Sequence, residues 1–377
     1  MARVDNIEDM KIFWVFNHPA PYKVQFFNSL GVNNDLTVYF ERHFEKGRNP
    51  TFYSEQVRSF HALYGHPLKL GAFDNFSFKA KAILKEHQED DIVVINGWRT
   101  LTEQSLIRYC KRQKIPYVFA INGGIVKKEE NNISYSLKRD MISGASLYLA
   151  PDENSVEYLK HYGADPKRIR LFPYGSVSDE EILPEPVNEK TKTRVREKKK
   201  IQGTRAFVAT GYFVKRKNFD RLIEIWANMP NDNTLYLIGE GREKKAYMRL
   251  IKKYRLENVF ILPYMNHKDL FSIYRAFDGF LLPTKEDIYG HVVIEALARG
   301  LPVFASSCSN AAKMVIKDGA NGRLLDFNNI EEVVLALTKG FDPNLASACI
   351  ESSHPYSFEQ SALEHEKIFT AFLEERK

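Results

Sequence analysis

Short apolar runs alternate with longer stretches of helical period along this chain, and the arrangement occurs twice. In the first half the runs are KIFWVFN (11–17), DLTVYFE (35–41), DIVVING (91–97), PYVFAIN (116–122) and SLYLAPD (146–152). In the second half they are AFVATGYF (206–213), TLYLIGEG (234–241), VFILPY (259–264), GFLLPT (279–284) and PVFASS (302–307). Strands that are apolar throughout, rather than at every other position, are buried on both faces, as in parallel sheets covered by helices. The pattern predicts an α/β protein with two domains, each built on a parallel sheet. A chain of 377 residues is long enough to give each its own core.

The first domain is expected over residues 1–177 and the second over 205–355. Between them, 178–204 lacks a strand pattern, carries two prolines and ends in a basic run, with seven of the eleven residues from Lys190 to Lys200 being Lys or Arg. That stretch reads either as a solvated linker merging into a surface helix or as a contact with anionic lipid, worth on the order of 1 kcal/mol per basic residue. The segment 74–88 places Phe76, Ala80, Ile83 and Leu84 at helical spacing and reads as a core-packed surface helix. Cys110, Cys308 and Cys349 are the only cysteines and form no CxxC or Cys/His cluster, so a disulfide framework or zinc site is not expected. No run approaches the ~18 apolar residues of a membrane span, and a cytoplasmic protein is expected, with peripheral contact at the inner membrane face. The net charge of +6 suits phosphorylated substrates or acidic lipid. Basic residues are not interleaved with aromatics as nucleic-acid binding would require.

One segment breaks the pattern of a buried helix. In KEDIYGHVVIEALARG (285–300) the residues from Val292 to Ala298 are apolar except for Glu295, and Asp287 stands eight residues ahead of it. A buried strand ends at Pro283–Thr284, a polar loop follows, and Gly290 permits close backbone approach before a helix opens near His291. Ligands of open α/β sheets bind beyond the carboxyl ends of the strands. The unpaired first-turn N–H groups and the helix dipole make an anion site there, so a phosphate is expected against His291 and Val292. Glu295, one turn further in, either accepts hydrogen bonds from sugar hydroxyls or braces a loop within the protein. A buried carboxylate with neither partner is costly.

The segment DIYGHVVIEALARGLPVFAS resembles the signature of the retaining glycosyltransferase family 4 (group 1). It shares the acid–seven residues–Glu spacing and the Gly-x-Pro-Val-x-x-Ser continuation. ATGYFVKRKNFDRLIE, LYLIGEG, ENVFILPYM and KDGANGRLL resemble further motifs of the family in the family's order, and YGADPKRIRLFPYGS (162–176) resembles the end of its first domain. The similarity runs over roughly residues 145–340.

This resemblance implies a GT-B architecture: two Rossmann-like domains facing across a cleft, with a nucleoside-diphosphate sugar on the second and the acceptor on the first. The terminal segment, about 356–377, would cross back to the first domain. By position, Glu295 would hold the ribose hydroxyls, Asp287 would contact the donor sugar, and Lys217 would neutralise the leaving diphosphate. Gly211, Tyr212, Arg216, Gly239, Gly290, His291 and Val292 fall in the donor loops, and Tyr264 and Met265 would flank the base. Neither a divalent metal nor a cofactor is implied. The implied activity is retaining transfer of a sugar to a glycan or lipid-linked glycan of a surface polysaccharide.

Departures from the family pattern are Asp287 in place of Glu, Tyr212 in place of an Arg at the diphosphate, and Asn122 where many relatives carry a His. They keep open a second reading, a non-catalytic GT-B protein that binds glycans or supports a partner transferase.

On the acceptor side, FNHPAPYKVQFFNSL follows the first strand. Pro19 and Pro21 stiffen the turn, so that His18, Tyr22 and Lys23 either point into the cleft or join the core. AINGGIVKKEEN ends a strand at Asn122, and Gly123 and Gly124 let the backbone approach a ligand. Lys127 and Lys128 either meet a phosphorylated acceptor or face water. Oligomeric state is not legible in the sequence.

Overall fold

The computed structural model describes residues 9–44, 53, 55–65, 68–70, 73–76, 78–86, 91–126, 129–339 and 345–377. The chain divides into two compact units, Met1–Gly175 with Ser357–Lys377, and Ser176–Tyr356.

Unit 1 is built on a seven-stranded sheet in the order β3-β2-β1-β6-β7-β8-β9, parallel throughout. Its strands are β1 (Lys11–Phe16), β2 (Asp35–Phe40), β3 (His61–Tyr64), β6 (Ile92–Asn96), β7 (Val118–Ala120), β8 (Leu147–Ala150) and β9 (Ile169–Leu171). Two short strands, β4 (Leu68–Leu70) and β5 (Phe73–Phe76), pair with each other antiparallel. Helices α1 (Pro21–Leu30), α2 (Phe78–Lys85), α3 (Leu101–Gln113), α4 (Asn132–Ile142) and α5 (Glu153–His161) supply the crossovers. The core on one face gathers Phe13, Val15, Tyr39, Leu106, Phe119, Met141 and Tyr148. On the other, Trp14 meets Phe27 and Phe369 edge-on, the latter from the long terminal helix α14 (Phe358–Glu374).

Unit 2 repeats the topology with six parallel strands, β12-β11-β10-β13-β14-β15. They are β10 (Arg205–Thr210), β11 (Asn233–Ile238), β12 (Val259–Leu262), β13 (Gly279–Leu282), β14 (Val303–Ala305) and β15 (Gly322–Leu324). Around them lie α6 (Glu189–Lys199), α7 (Phe219–Trp226), α8 (Lys244–Lys253), α9 (His267–Tyr274), α10 (His291–Ala298), α11 (Asn310–Val315), α12 (Ile330–Thr338) and α13 (Leu345–Ser353). Phe207, Leu222, Trp226, Leu237, Leu281 and Leu337 lie in its main core cluster. In each sheet the chain starts in the middle, works outward to one side, then returns past its first strand and continues the other way. That reversal leaves a crevice beyond the carboxyl ends of β1 and β6, and of β10 and β13, where ligands of such sheets bind.

Residues 178–204 group with unit 2, and their basic run forms the surface helix α6, where Lys192 and Arg196 both bond the Asp278 carboxylate. Two sequence expectations change. Phe76 belongs to β5, and the helix expected over 74–88 begins at Phe78. Strands β3, β9 and β15 were not anticipated. Each lies at a sheet edge and is partly exposed, so it carries no unbroken apolar run.

Candidate functional site

In unit 2 the loops that follow β10 and β13 are knitted together. After β10 the backbone passes Gly211 and Tyr212 into a 3₁₀ turn, Lys215–Lys217, which ends at Asn218 in the left-handed region (φ 58°). The Asn218 side chain donates to the Pro283 carbonyl at 3.0 Å, and Thr284 Oγ donates to the Arg216 and Glu286 carbonyls at 3.1 and 2.9 Å. Lys285 N–H donates to the Arg216 carbonyl at 2.8 Å. These bonds place the buried Lys217 ammonium 2.5 Å from Asp287 Oδ2 and bring Arg216 Nη1 to 3.8 Å from Asp287 Oδ1. Lys217 and Asp287, expected at different ends of the donor, are therefore an ion pair here, with Arg216 alongside.

Close backbone approach shapes the same edge. Gly239, after β11, has φ +151°, and a Cβ there would lie 2.0 Å from the Gly211 carbonyl oxygen. Gly290 takes φ +105° ahead of α10, where a Cβ would meet Ser309 Oγ at 2.5 Å. No side chain caps the amino end of α10, and His291 and Val292 are half-buried there. His291 Nδ1 lies 2.8 Å from Ser176 Oγ, which fixes the ring beside Tyr289. Tyr264 and Met265 follow β12; Tyr264 is exposed, as is Tyr212.

Glu295 lies on α10 and is partly exposed. Its carboxylate has no hydrogen bond or ion pair to any other described residue. Burial raises its pKa; His267 and Lys217 pull it down and Glu181 pushes it up. A loop-bracing role requires a protein partner for this carboxylate, and among the described residues there is none.

In unit 1, the expected acceptor-side residues divide. His18 is half-buried beside Tyr53, and Tyr22 is half-buried with its ring edge-on to Tyr174. Lys23 does not point outward: it is 2 % exposed, with its ammonium 4.5 Å from the Tyr174 ring centroid and just over 5 Å from those of Phe16 and Phe26. Residue 23 falls on the face of α1 that packs inward, and burial lowers the Lys23 pKa to about 7. Asn122 Oδ1 accepts from Tyr174 Oη at 2.9 Å, next to Gly123 at φ +140°. Tyr174, which sequence reasoning passed over, thus touches Tyr22, Lys23 and Asn122. The available signal was an aromatic in the otherwise polar turn PYGS. Lys127 and Lys128 lie outside the described residues.

Among the described residues no group of three or more His, Cys, Asp or Glu could hold a metal ion, and no helix is long and apolar enough to cross a membrane.

Comparison with known proteins places this geometry. Residues 191–352 match the family described as glycosyl transferases group 1. An uncharacterized glycosyltransferase of Haemophilus influenzae is 33% identical over 137 residues, 35% of this chain and 38% of that protein. The amylovoran biosynthesis glycosyltransferase AmsD of Erwinia amylovora is 29% identical over 157 residues, 40% of this chain and 43% of that protein. The matches thus span about two fifths of these relatives' lengths. Among solved structures, Anabaena HepE in complex with UDP aligns over 97% of this chain and 98% of its own, with a TM-score of 0.68 at 16% identity. That likeness concerns the fold.

Proposed function

We propose, from the premise that this chain carries a group 1 glycosyltransferase domain on a GT-B fold, that it moves a sugar from a nucleoside-diphosphate sugar to a glycan or lipid-linked glycan. The unpartnered Glu295 carboxylate carries the proposal. A charge-assisted hydrogen bond is the strong kind, and a half-buried carboxylate that no other described residue bonds suits a pair of donor hydroxyls such as those of ribose.

In this reading the diphosphate lies against the first turn of α10 and draws Lys217 and Arg216 toward it. The positive end of the helix dipole and the two cations meet its charge. No divalent metal enters the proposal. Loss of Lys217 to the diphosphate frees Asp287 for the hydroxyls of the donor sugar. The acceptor is held on unit 1, where Tyr22 and Asn122 are half-exposed around Tyr174. No side chain in the donor loops is placed as an evident general base. The departing diphosphate then takes the acceptor's proton on the face it leaves, and configuration at the anomeric carbon is retained. AmsD acts in amylovoran biosynthesis, and the acceptor class is proposed by that analogy together with the chain's basic charge.

The test is calorimetric titration with UDP-, GDP- and dTDP-sugars, comparing wild type with Glu295→Gln. Hydrogen bonds to charged groups contribute about 1.5–3 kcal/mol, so the variant should bind its donor about 10- to 150-fold more weakly. Equal affinity in the two proteins, or no binding of any donor by wild type, would overturn the proposal. Transfer assayed with and without a chelator, followed by determination of anomeric configuration in the product, tests the metal-free and retaining parts.

A further inference from the structure

The opposite edge of the unit 2 sheet holds a second gathering of cations. Arg275 follows α9 and Arg299 follows α10, just ahead of β13 and β14, so both lie at the amino ends of the strands and away from the donor loops. A cavity of about 290 Å³ opens there, and Lys192, Arg275, Asp278 and Arg299 are among the residues that line it. Its size is near the lower end of the roughly 300–1,000 Å³ typical of small-molecule pockets.

The described residues engage the two guanidinium groups only in part, Arg299 lying 5.4 Å over the Phe271 ring centroid. Arg299 is 7% exposed; one Nη donates to the Glu181 carbonyl at 2.7 Å, while its Nε–H is buried without a partner. The Nε–H of Arg275 is likewise buried and unpartnered among the described residues. Leaving such donors unpaired costs about 1–3 kcal/mol, more for charged groups. The pair also repel: burial and, after it, Arg275 lower the Arg299 pKa to about 10 against the pull of Glu181.

Capping does not explain them, although cations are favoured at helix carboxyl ends. The final carbonyls of α10 are already taken: Ala296 by the N–H groups of Arg299 and Leu301, Leu297 by Gly300, and Ala298 by Leu183. Glu189 of α6 also lines the cavity, while the other two neighbouring acids are engaged elsewhere. Asp278 holds Lys192 and Arg196 and accepts from Ala206 N–H, and Glu181 holds His267 at 2.8 Å.

We propose that this cavity is an anion site, separate from the donor site, that takes a phosphomonoester with a small organic body. Two like charges with donors that no described residue takes call for a dianion with several acceptor oxygens. A phosphomonoester carries about −1.5 to −2 charges near pH 7 and offers three oxygens. Guanidinium matches that geometry through paired N–H groups, which a single carboxylate cannot satisfy on two arginines at once.

Inorganic phosphate is the probe, titrated calorimetrically at pH 7.5 and constant ionic strength into wild type, Arg275→Gln and Arg299→Lys, with far-UV circular dichroism confirming folding. Arg275 is the primary position because no other described group depends on its side chain. The expected result is saturable binding to wild type, weakened at least tenfold by Arg275→Gln. Arg299→Lys, which keeps the charge but loses the buried Nε–H, should also weaken it. Absence of binding to wild type overturns the proposal. So does undiminished binding in both folded variants, which would assign phosphate to the start of α10 instead.

Discussion

Replacing Lys23 with Met should stabilise unit 1, and by an amount that depends on pH. The ammonium is buried among Phe16, Phe26 and Tyr174, no acid among the described residues bonds to it, and burial lowers its pKa from 10.5 to about 7. That difference of about 3.5 units corresponds to about 5 kcal/mol, at roughly 1.4 kcal/mol per unit. The sign follows from proton binding: between pH 7 and 10.5 the unfolded chain holds a proton on Lys23 that the folded chain does not, so stability rises with pH across that window. The cost is therefore complete below pH 7 and fades as pH approaches 10.5. Met conserves length without charge, so Lys23→Met should gain up to about 5 kcal/mol below pH 7, reduced by lost ammonium–ring attraction of about 0.5–2 kcal/mol. Near pH 10 the gain should be under about 1 kcal/mol. The neighbouring His365, whose pKa burial lowers to about 3, is neutral throughout. Glu103, raised to about 7 by burial, contributes equally to both proteins and cancels in the comparison. Urea unfolding followed by Trp14 emission, with Trp98 and Trp226 replaced by Phe, isolates the unit that carries the change. A gain that is the same at pH 6.5 and 9.5, or a loss at both, would refute the reasoning.

Three further outcomes follow from the geometry of unit 2. Gly239→Ala, whose Cβ would lie 2.0 Å from the Gly211 carbonyl oxygen, should destabilise unit 2 by more than about 2 kcal/mol; an unchanged thermal midpoint counts against the close approach. Asp278→Asn removes the carboxylate that Lys192 and Arg196 share and should cost about 3 kcal/mol while speeding hydrogen exchange along α6; unaltered exchange would mean that α6 is held by other contacts. Because burial raises the Glu295 pKa, donor affinity should weaken on acidification at a higher pH than for an ordinary carboxylate. Glu295→Gln should flatten the acid limb of that profile, and a parallel fall in both proteins would place the titrating group elsewhere.

How much of this was legible in the sequence depends on whether a residue's role is local. The parallel sheets were legible because double-sided burial leaves continuous apolar runs, as in IVVIN of β6. The Gly290–His291 boundary was legible because a glycine ahead of an apolar helix marks a backbone constraint. Glu295 stood out as the one charge within that helix. The edge strands β9 and β15 left no such trace, since three half-exposed residues cannot show a period. The placement of Lys23 was not legible either. Its surroundings come from β1, α1 and the Tyr174 turn, and nothing in the spacing of KVQFF distinguishes a buried lysine from a solvated one. The same holds for α6, whose six basic residues look like a solvated run until Asp278, more than eighty residues away, is found beneath two of them.

Asp287, in the loop after β13, and Glu295, on α10, are in opposite states, and that contrast bears on the proposed function. Asp287 is neutralised by Lys217 at 2.5 Å, with Arg216 behind it, whereas Glu295 has no bonded partner among the described residues. A stabilising network would pair both acids, because an unpaired charge in a partly dry site is costly and a short substitution would remove it. Retaining Glu295 unpaired makes sense if its partner is a ligand hydroxyl. Pairing Asp287 makes sense if Lys217 must be kept charged and in place until a stronger anion arrives. A diphosphate at the α10 amino end would compete for Lys217 with more charge than one carboxylate, and its arrival would turn Asp287 from a held group into a free acceptor. On this account binding of the diphosphate and recognition of the sugar are coupled through one lysine, so the site's acid that touches the sugar becomes available only once the leaving group is seated.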